Sequence, residues 1–146
     1  MSFKSILNNL QKQKTHDYLH VFFVLNPITV VISRLIIDKL NIDNRNILIV
    51  SFRNTDISIL NFRSLFIKKN KFERIIEKLT LTSVSGKKII NKINNKKFIL
   101  FTSWSYKEAN WLLKSDNCAG HYYIEEGSAA YRTHKPYSFD KITYKI

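Results

Sequence analysis

The sequence predicts an α/β fold, with a Rossmann-like parallel sheet flanked by helices. Residues 19–25, 46–52, 97–102 and 120–124 are apolar runs rich in β-branched and aromatic residues, which is typical of strands buried on both faces. Helical patterns separate these runs, and strands that alternate with helices form parallel sheets through right-handed crossovers. The chain has 146 residues, of which 45% are hydrophobic, so it is long enough for one domain with an apolar core.

The first third of the chain is expected to form a short amphipathic helix, a strand and a longer helix. Within residues 1–18, apolar side chains recur at helical spacing. After the strand at 19–25, Asn26 is a suitable helix cap and Pro27 is tolerated at the first helical position. The second helix therefore starts at Pro27 and runs to about residue 40.

The most apolar stretch, residues 21–37, lacks the features of a membrane span or a signal peptide. The Asn26-Pro27 turn and Arg34 interrupt it, it is shorter than about 20 apolar residues, and no small-residue cleavage site follows it. We therefore expect a cytoplasmic protein that is either soluble or peripheral on the inner membrane.

The alternation of strands and helices continues in the second half of the chain. Residues 57–67 fit both the strand period and the helix period, so they are left unassigned. Helices are predicted at 72–79, at 86–93 with Ser85 as the cap, and at 105–114. The apolar side of the first of these helices consists of Ile75, Ile76 and Leu79.

The chain is strongly basic, with a formal net charge of +13 at pH 7. Basic surfaces attract polyanions, which raises nucleic acid and anionic membranes as partners. The lysines are spread along the chain, however, and are dense only at 68–71 and 87–97. Their excess accompanies many asparagines and isoleucines, a bias that A- and T-rich genomes produce. A solvated basic face is therefore the preferred interpretation, followed by a membrane surface, and nucleic acid is the least favoured.

The cysteine, histidine and glycine content gives no sign of a metal or a dinucleotide. Cys118 is the single cysteine, so it cannot form an internal disulfide, and no Cys/His cluster has the spacing of zinc ligands. We expect Cys118 to pack as a small apolar residue beside the last strand, in a reducing compartment. A Gly-x-Gly-x-x-Gly motif is also missing, so no bound cofactor is predicted.

Two adjacent carboxylates follow the last predicted strand. After Glu125 and Glu126 come Gly127, which accepts a positive φ, and Ser128, a good N-cap for a further helix. Ligands of open parallel sheets bind outside the carboxyl ends of the strands, so we expect these carboxylates to face a cleft. The alternative is a solvated strand end, with glutamate placed near a helix N-terminus.

The stretch around Glu125 resembles the acidic (Asp/Glu)-(Asp/Glu)-Gly motif of bacterial sialyltransferases, most closely the lipooligosaccharide sialyltransferase-like glycosyltransferases. Glu125, Glu126 and Gly127 match the motif, with an aromatic strand before them and small residues and a tyrosine after them. The resemblance covers about residues 19–137. It implies that residues 19–146 are the amino-terminal, acceptor-side domain of a two-domain GT-B architecture, truncated before its second half.

That resemblance implies inverting transfer of a sugar from a CMP-sugar donor to a surface-glycan acceptor. Glu125 or Glu126 would be the general base that takes the proton from the attacking acceptor hydroxyl. Because adjacent strand residues point to opposite faces, one of the two would enter the cleft and the other would support the turn. The CMP-sugar is a substrate, and neither a cofactor nor a metal is implied.

The second half of such an enzyme, which binds the CMP-sugar donor and carries a His-Pro motif, has no match in this sequence. The nearest approach is His134-Lys135-Pro136, which is interrupted and lies too close to the acidic motif. We interpret it as an exposed basic turn. The chain alone is therefore expected to be inactive, and the apolar surface left by a missing domain is expected to favour a homo-oligomer.

Other turns that follow predicted strands are candidates for substrate binding in the same cleft. They are Asn26-Pro27 after the first strand, Arg53 after the second and Trp104-Ser105 after the third, together with Gly127 and Ser128 beside the acidic pair. A helix cap, a polar turn and a packed aromatic are the ordinary alternatives for the first three of these turns.

A second function class is a non-catalytic basic α/β module that binds nucleic acid or an anionic membrane surface. Its affinity would fall steeply as salt is raised, because counterion release drives such binding, whereas glycan recognition would respond little. Neither composition nor motif spacing identifies the donor sugar or the acceptor glycan.

Overall fold

The structure is a computed structural model that describes residues 18–52, 55–80, 83–103 and 107–124. Its strands are β1 (Leu19–Val24), β2 (Ile47–Ser51), β3 (Ser64–Phe66), β4 (Phe98–Thr102) and β5 (Cys118–Tyr123). Its α-helices are α1 (Pro27–Leu40), α2 (Lys71–Thr80), α3 (Val84–Ile93) and α4 (Lys107–Leu113). The amino-terminal helix expected within residues 1–18 lies outside the described part, except for Tyr18.

All of these strands lie in one sheet in the order β3-β2-β1-β4-β5, and every neighbouring pair is parallel. This confirms the predicted α/β fold with a Rossmann-like parallel sheet. β1 is the central strand, and its Phe22 is in register with Ile49 of β2 and with Phe101 of β4. The chain therefore builds outwards from β1 as far as β3, and then continues on the other side of β1 with β4 and β5.

The central strands alternate their side chains between two buried faces. On the first face, α1 packs over a cluster that contains Phe22 and Phe101. On the second face, α3 and α4 pack over a cluster that contains Phe23 and Leu100. Burying one side chain of this size stabilises the fold by about 1.5–3 kcal/mol. Rings also stack across the first face, where Phe101 has its centroid 4.4 Å from that of Phe22 and 5.3 Å from that of Tyr122.

Helix α3 begins earlier than predicted, because Ser83 and not Ser85 is its cap. Ser83 Oγ accepts the Gly86 N–H at 2.9 Å. Ser85 instead donates from its N–H and its hydroxyl to Glu77 Oε1, at 3.3 and 3.4 Å. Both serines suit the cap position locally, and the contact with Glu77 decides between them. Gly86 permits close helix packing, since a Cβ there would lie 2.7 Å from Trp111 Cε3.

Residues 57–67, for which the sequence favours neither period, form a short turn and an edge strand. A 3-10 turn at Ser58–Leu60 ends at Asn61, whose φ of 42° lies in the left-handed region. The chain then joins the sheet as β3, and the Ile67 N–H donates to the Ser51 carbonyl at 2.8 Å. A strand of 3 residues with partly exposed side chains is too short for its period to be recognised in the sequence.

The other element boundaries differ from the predicted ones by one or two residues. β5 begins at Cys118, so this cysteine lies in the strand and not beside it, and it packs against the second cluster. Asn41 ends α1 in the left-handed conformation, with a φ of 50°. Within the described ranges, none of the helices is both long and apolar enough to cross a membrane.

Candidate functional site

The direction of chain progression reverses at β1, and this topology predicts a crevice between the carboxyl ends of β1 and β4. The connection that leaves β1 crosses the first face through α1, whereas the connection that leaves β4 crosses the second face through α4. Ligands of open α/β sheets bind where neighbouring connections leave for opposite faces in this way. The candidate site therefore consists of the residues that follow β1, β4 and β5.

The turn after β1 is fixed by short hydrogen bonds around Thr29. Asn26 Oδ1 accepts the Thr29 N–H at 2.9 Å, and Thr29 Oγ1 accepts the N–H groups of Leu25 and Asn26 at 2.9 and 3.1 Å. The Thr29 hydroxyl donates to the Asn26 carbonyl at 2.8 Å. Pro27 occupies the first turn of α1. Asn26 and Pro27 thus lie at the crevice, where the observed role of Asn26 is a capping box that satisfies the first N–H groups of α1. Substrate binding by either residue stays a prediction.

The end of β4 contributes two buried hydroxyl residues, Thr102 and Ser103. Ser103 Oγ has no hydrogen-bond partner in the described part of the chain. Leaving a buried hydroxyl unpaired costs about 1–3 kcal/mol, so an unpaired hydroxyl at a ligand-binding edge is a candidate contact for a bound polar group. The sequence prediction chose Trp104 and Ser105 from this turn and missed Ser103, whose position directly after an apolar strand was the available signal.

β5 brings the chain to the same edge of the sheet. Tyr123 is in register with Thr102 of β4, and the Ile124 N–H donates to the Thr102 carbonyl at 2.9 Å. Ile124 is buried, so the chain is held against the sheet up to the residue before Glu125. The predicted acidic pair follows Ile124 directly in the sequence.

Most of the predicted site residues lie outside the described ranges. The His134-Lys135-Pro136 sequence, expected to be an exposed basic turn, also lies outside these ranges. The predicted site residues concerned are Glu125, Glu126, Gly127 and Ser128 of the acidic motif, Arg53 after β2, and Trp104 and Ser105 after β4. Their roles stay predictions. Beside Arg53, the Thr55 hydroxyl donates to the Leu25 carbonyl at 3.2 Å. The turn after β2 is therefore tied to the turn after β1 at the edge of the crevice.

An ionic cluster, formed by Lys69, Glu77 and Glu108, lies on the second face and was not predicted from the sequence. Lys69 follows β3 and makes ion pairs with Glu77 of α2, at 2.9 Å, and with Glu108 in the first turn of α4. Both carboxylates are buried, and Ser85 donates two further hydrogen bonds to Glu77. The cluster joins α2 and α4 to the loop after β3.

The contacts within the ionic cluster favour a structural role. Burial lowers the pKa of Lys69, but its hydrogen bonds and ion pairs with Glu108 and Glu77 outweigh this effect and raise the pKa above the ordinary value. Lys69 therefore stays protonated. Both glutamates are engaged by this cation and are enclosed by protein, so neither is placed to take a proton from a ligand.

Two histidines of the sheet are held neutral by burial. His20 on β1 is buried with Nδ1 3.3 Å from the Asn46 carbonyl, and burial lowers its pKa despite hydrogen bonds to the backbone of Asn46 and Tyr18 that raise it. His121 on β5 is in register with Leu100 and faces the second cluster, where burial lowers its pKa to about 4. Among the described residues, no three His, Cys, Asp or Glu side chains are grouped closely enough to hold a metal ion.

No model of a protein family, no curated protein and no solved structure matches this chain.

Proposed function

We propose that this chain is the acceptor-side domain of an inverting glycosyltransferase of the sialyltransferase type, which transfers a sugar from a CMP-sugar donor to a surface glycan. The observation that carries the proposal is the position of β5. This strand pairs with β4, next to the reversal at β1, and Ile124 follows it at the edge where ligands of such sheets bind. The Glu125-Glu126-Gly127 motif follows at once, which would supply a carboxylate to the crevice.

In the proposed reaction, one glutamate accepts the proton of the acceptor hydroxyl while the hydroxyl oxygen bonds to the anomeric carbon of the donor. The bond between that carbon and the phosphate of CMP breaks, and CMP leaves as an anion. A carboxylate acts as the base only within hydrogen-bond reach of the hydroxyl. Glu125 and Glu126 are both candidates. Binding of the CMP group is assigned to a second domain, in the same polypeptide or in a partner.

The described residues of the crevice would contribute binding and positioning. The Ser103 hydroxyl is buried and unpaired within the described part, so a hydroxyl or phosphate of a substrate would satisfy it. The Asn26-Pro27 turn, fixed through Thr29, would form a rigid wall on the opposite side. Arg53, Trp104 and Ser105 keep their proposed roles in substrate binding, since each closely follows a strand that ends at this edge.

Transfer assays with CMP-sugar donors test the proposal. The full chain alone is expected to show no transfer, and fusion to the donor-binding domain of a bacterial sialyltransferase is expected to restore turnover. In the active fusion, Glu125→Gln or Glu126→Gln, whichever removes the base, should lower kcat roughly a hundredfold or more, the scale expected for lost general-base assistance. The other substitution should mainly affect stability.

Asp116→Asn is the matched control for these substitutions. Asp116 is an exposed carboxylate that precedes β5, at the opposite end of the strand from the crevice, and its loss should leave kcat unchanged. Transfer by the chain alone would place the active site elsewhere. An active fusion that is indifferent to both glutamate substitutions would remove the catalytic role of the motif.

A further inference from the structure

Helix α2 turns its apolar side outwards. Phe72, Ile75 and Leu79 are 69%, 53% and 79% exposed. Their spacing of three and four residues places them in one stripe along the helix. The helices of a soluble domain normally bury such a stripe against the core. The exposed stripe therefore needs a reason.

The side of α2 that contacts the rest of the protein is acidic. Glu73 pairs with Lys88 of α3 at 2.5 Å, and Glu77, which is 5% exposed, belongs to the ionic cluster with Lys69. At about 100° per residue, Glu73 and Glu77 lie on the side of the helix away from the apolar stripe. These polar contacts fix the orientation in which the stripe faces outwards.

Basic side chains lie along one side of the stripe. Lys71, Arg74 and Lys78 are exposed and occupy the arc between the stripe and the acidic side. Among the described residues, none forms an ion pair or a side-chain hydrogen bond with these three cations. We call the outward side of the helix the α2 surface, and it consists of Phe72, Ile75, Leu79, Lys71, Arg74 and Lys78.

We propose that the α2 surface binds an anionic membrane surface, with the helix axis parallel to the membrane plane. The apolar stripe would enter the boundary between headgroups and acyl chains, and the cations would contact lipid phosphates. A helix with Phe and Leu on one side and Lys and Arg beside them has the chemistry of an interfacial helix. The inference is independent of the glycosyl transfer proposed above.

The charge of the α2 surface favours an anionic membrane over other occupants. A second copy of the chain that docked face to face would bring unpaired cations of like sign together, whereas anionic lipids attract them. A nucleic acid would use the cations but would gain nothing from Phe72, Ile75 and Leu79. An anionic lipid surface is the occupant that uses both parts.

Helix α1 provides an internal comparison. It also exposes an apolar stripe, formed by Ile28, Val31 and Leu35, and Leu35 is 62% exposed. Its Arg34, however, is paired with Asp38 at 2.8 Å. With Arg34 paired, Lys39 is the one other cation of α1, whereas three exposed cations accompany the stripe of α2. The electrostatic half of the membrane-binding pattern is therefore weaker on α1, which supplies matched control residues.

The test is co-sedimentation of the full chain with vesicles of phosphatidylcholine alone or mixed with phosphatidylglycerol. Binding is expected only to the anionic vesicles, and it should weaken as salt is added. The triple variant Lys71→Gln/Arg74→Gln/Lys78→Gln should lower the partition coefficient roughly fivefold per cation, and so roughly a hundredfold in all. Phe72→Ser/Leu79→Ser should lower it roughly tenfold per side chain.

Two control variants keep the result specific to the α2 surface. Leu35→Ser removes a comparably exposed apolar side chain from α1, and Lys39→Gln/Lys96→Gln/Lys97→Gln removes three exposed cations elsewhere. Both should bind anionic vesicles within about twofold of the wild type, the scale of small surface effects. All of the substituted side chains are exposed, so each variant is expected to fold. Thermal unfolding of each variant checks this.

Several results would overturn the proposal. One is equal binding to neutral and anionic vesicles, and another is a loss of binding in the control variants as large as in the α2 variants. A third is full binding by Phe72→Ser/Leu79→Ser, which would show that the cations alone adsorb to the vesicles. A dimer in sedimentation that Leu79→Ser dissociates, without any vesicle binding, would assign the surface to a second copy instead.

Discussion

His121 makes the stability of this protein depend on pH. Burial lowers the pKa of its ring from 6.5 to about 4, so the unfolded chain takes up a proton at His121 before the folded chain does. The free energy of unfolding therefore keeps its full value, as far as His121 affects it, above pH 6.5. It decreases as the pH falls towards 4. We expect a loss on the order of 2–3 kcal/mol, allowing for partial contact of the ring with solvent. Urea unfolding at a series of pH values between these limits measures it.

His121→Gln separates this effect from other acid titrations. In the wild type, uptake of one proton by His121 on unfolding changes the free energy of unfolding by up to about 1.4 kcal/mol per pH unit. The variant should lack this contribution to the slope. A smaller slope should remain, because burial also lowers the pKa of His20. Identical profiles for the wild type and the variant would show that His121 is not shielded from water.

Asn26 gives a second prediction, which concerns its role as a helix cap. Asn26→Ala removes the oxygen that accepts the Thr29 N–H and should lower the free energy of unfolding by about 1 kcal/mol. Asn26→Ser keeps an acceptor at this position and should recover most of that loss. Chemical denaturation of the three proteins provides the comparison. A loss of the same size in both variants would contradict the capping role.

Local signals predicted some residues of the site and missed others. The helix cap at Asn26 and the helix start at Pro27 were predicted correctly, because cap and first-turn preferences depend on the neighbouring residues only. Ser103 was missed because its burial depends on the strands on either side of β4. The choice of Ser83 over Ser85 likewise depends on Glu77, which approaches from another helix.

At the level of the elements, the ionic cluster is expected to control how α2 and α4 are joined to the sheet. Lys69→Met would leave Glu77 and Glu108 buried side by side without a cation, and breaking a buried pair in this way costs about 3–5 kcal/mol. Lys88→Met is the matched control, because it removes the more exposed pair with Glu73, and solvent screening should make this loss of stability much smaller. Thermal unfolding of both variants tests this, and equal losses would contradict it.

The ionic cluster shows why contacts between helices and loops were harder to predict than the helices and strands themselves. Lys69 belongs to the lysine-rich run at 68–71, which is typical of a solvated surface, and only the fold brings Glu108 to it. Helix α2 was predicted from the spacing of its apolar residues. That spacing does not show which side of the helix packs against the rest of the protein. In this structure the packed side is the one that contains Glu73 and Glu77.

At the level of the whole molecule, the sheet was predictable because its central strands are buried on both faces. The continuous apolar runs at β1, β2 and β4 are typical of strands in the middle of a parallel sheet that helices cover on both sides. The edge strand β3 has neither the length nor the burial that would identify it. Parallel topology also predicted that the site would lie at the carboxyl ends, but the contacts that shape it, such as Thr55 with Leu25, join residues far apart in the sequence.

The strand order predicts which amides exchange most slowly with solvent. All residues of β1 are buried, and the strand is hydrogen-bonded to β2 on one side and to β4 on the other, so opening it requires disruption of the whole sheet. β3 and β5 lie at the two edges of the described sheet, and their side chains are at most partly buried. Slow hydrogen exchange, measured by NMR, should therefore be concentrated in β1, β2 and β4, with the amides of β3 and β5 exchanging faster. Protection in β4 is the decisive observation, since β4 is distant from β1 in the chain but adjacent to it in the sheet. Strong protection of β1 and β2 with rapid exchange throughout β4 would contradict the strand order and, with it, the crevice between β1 and β4.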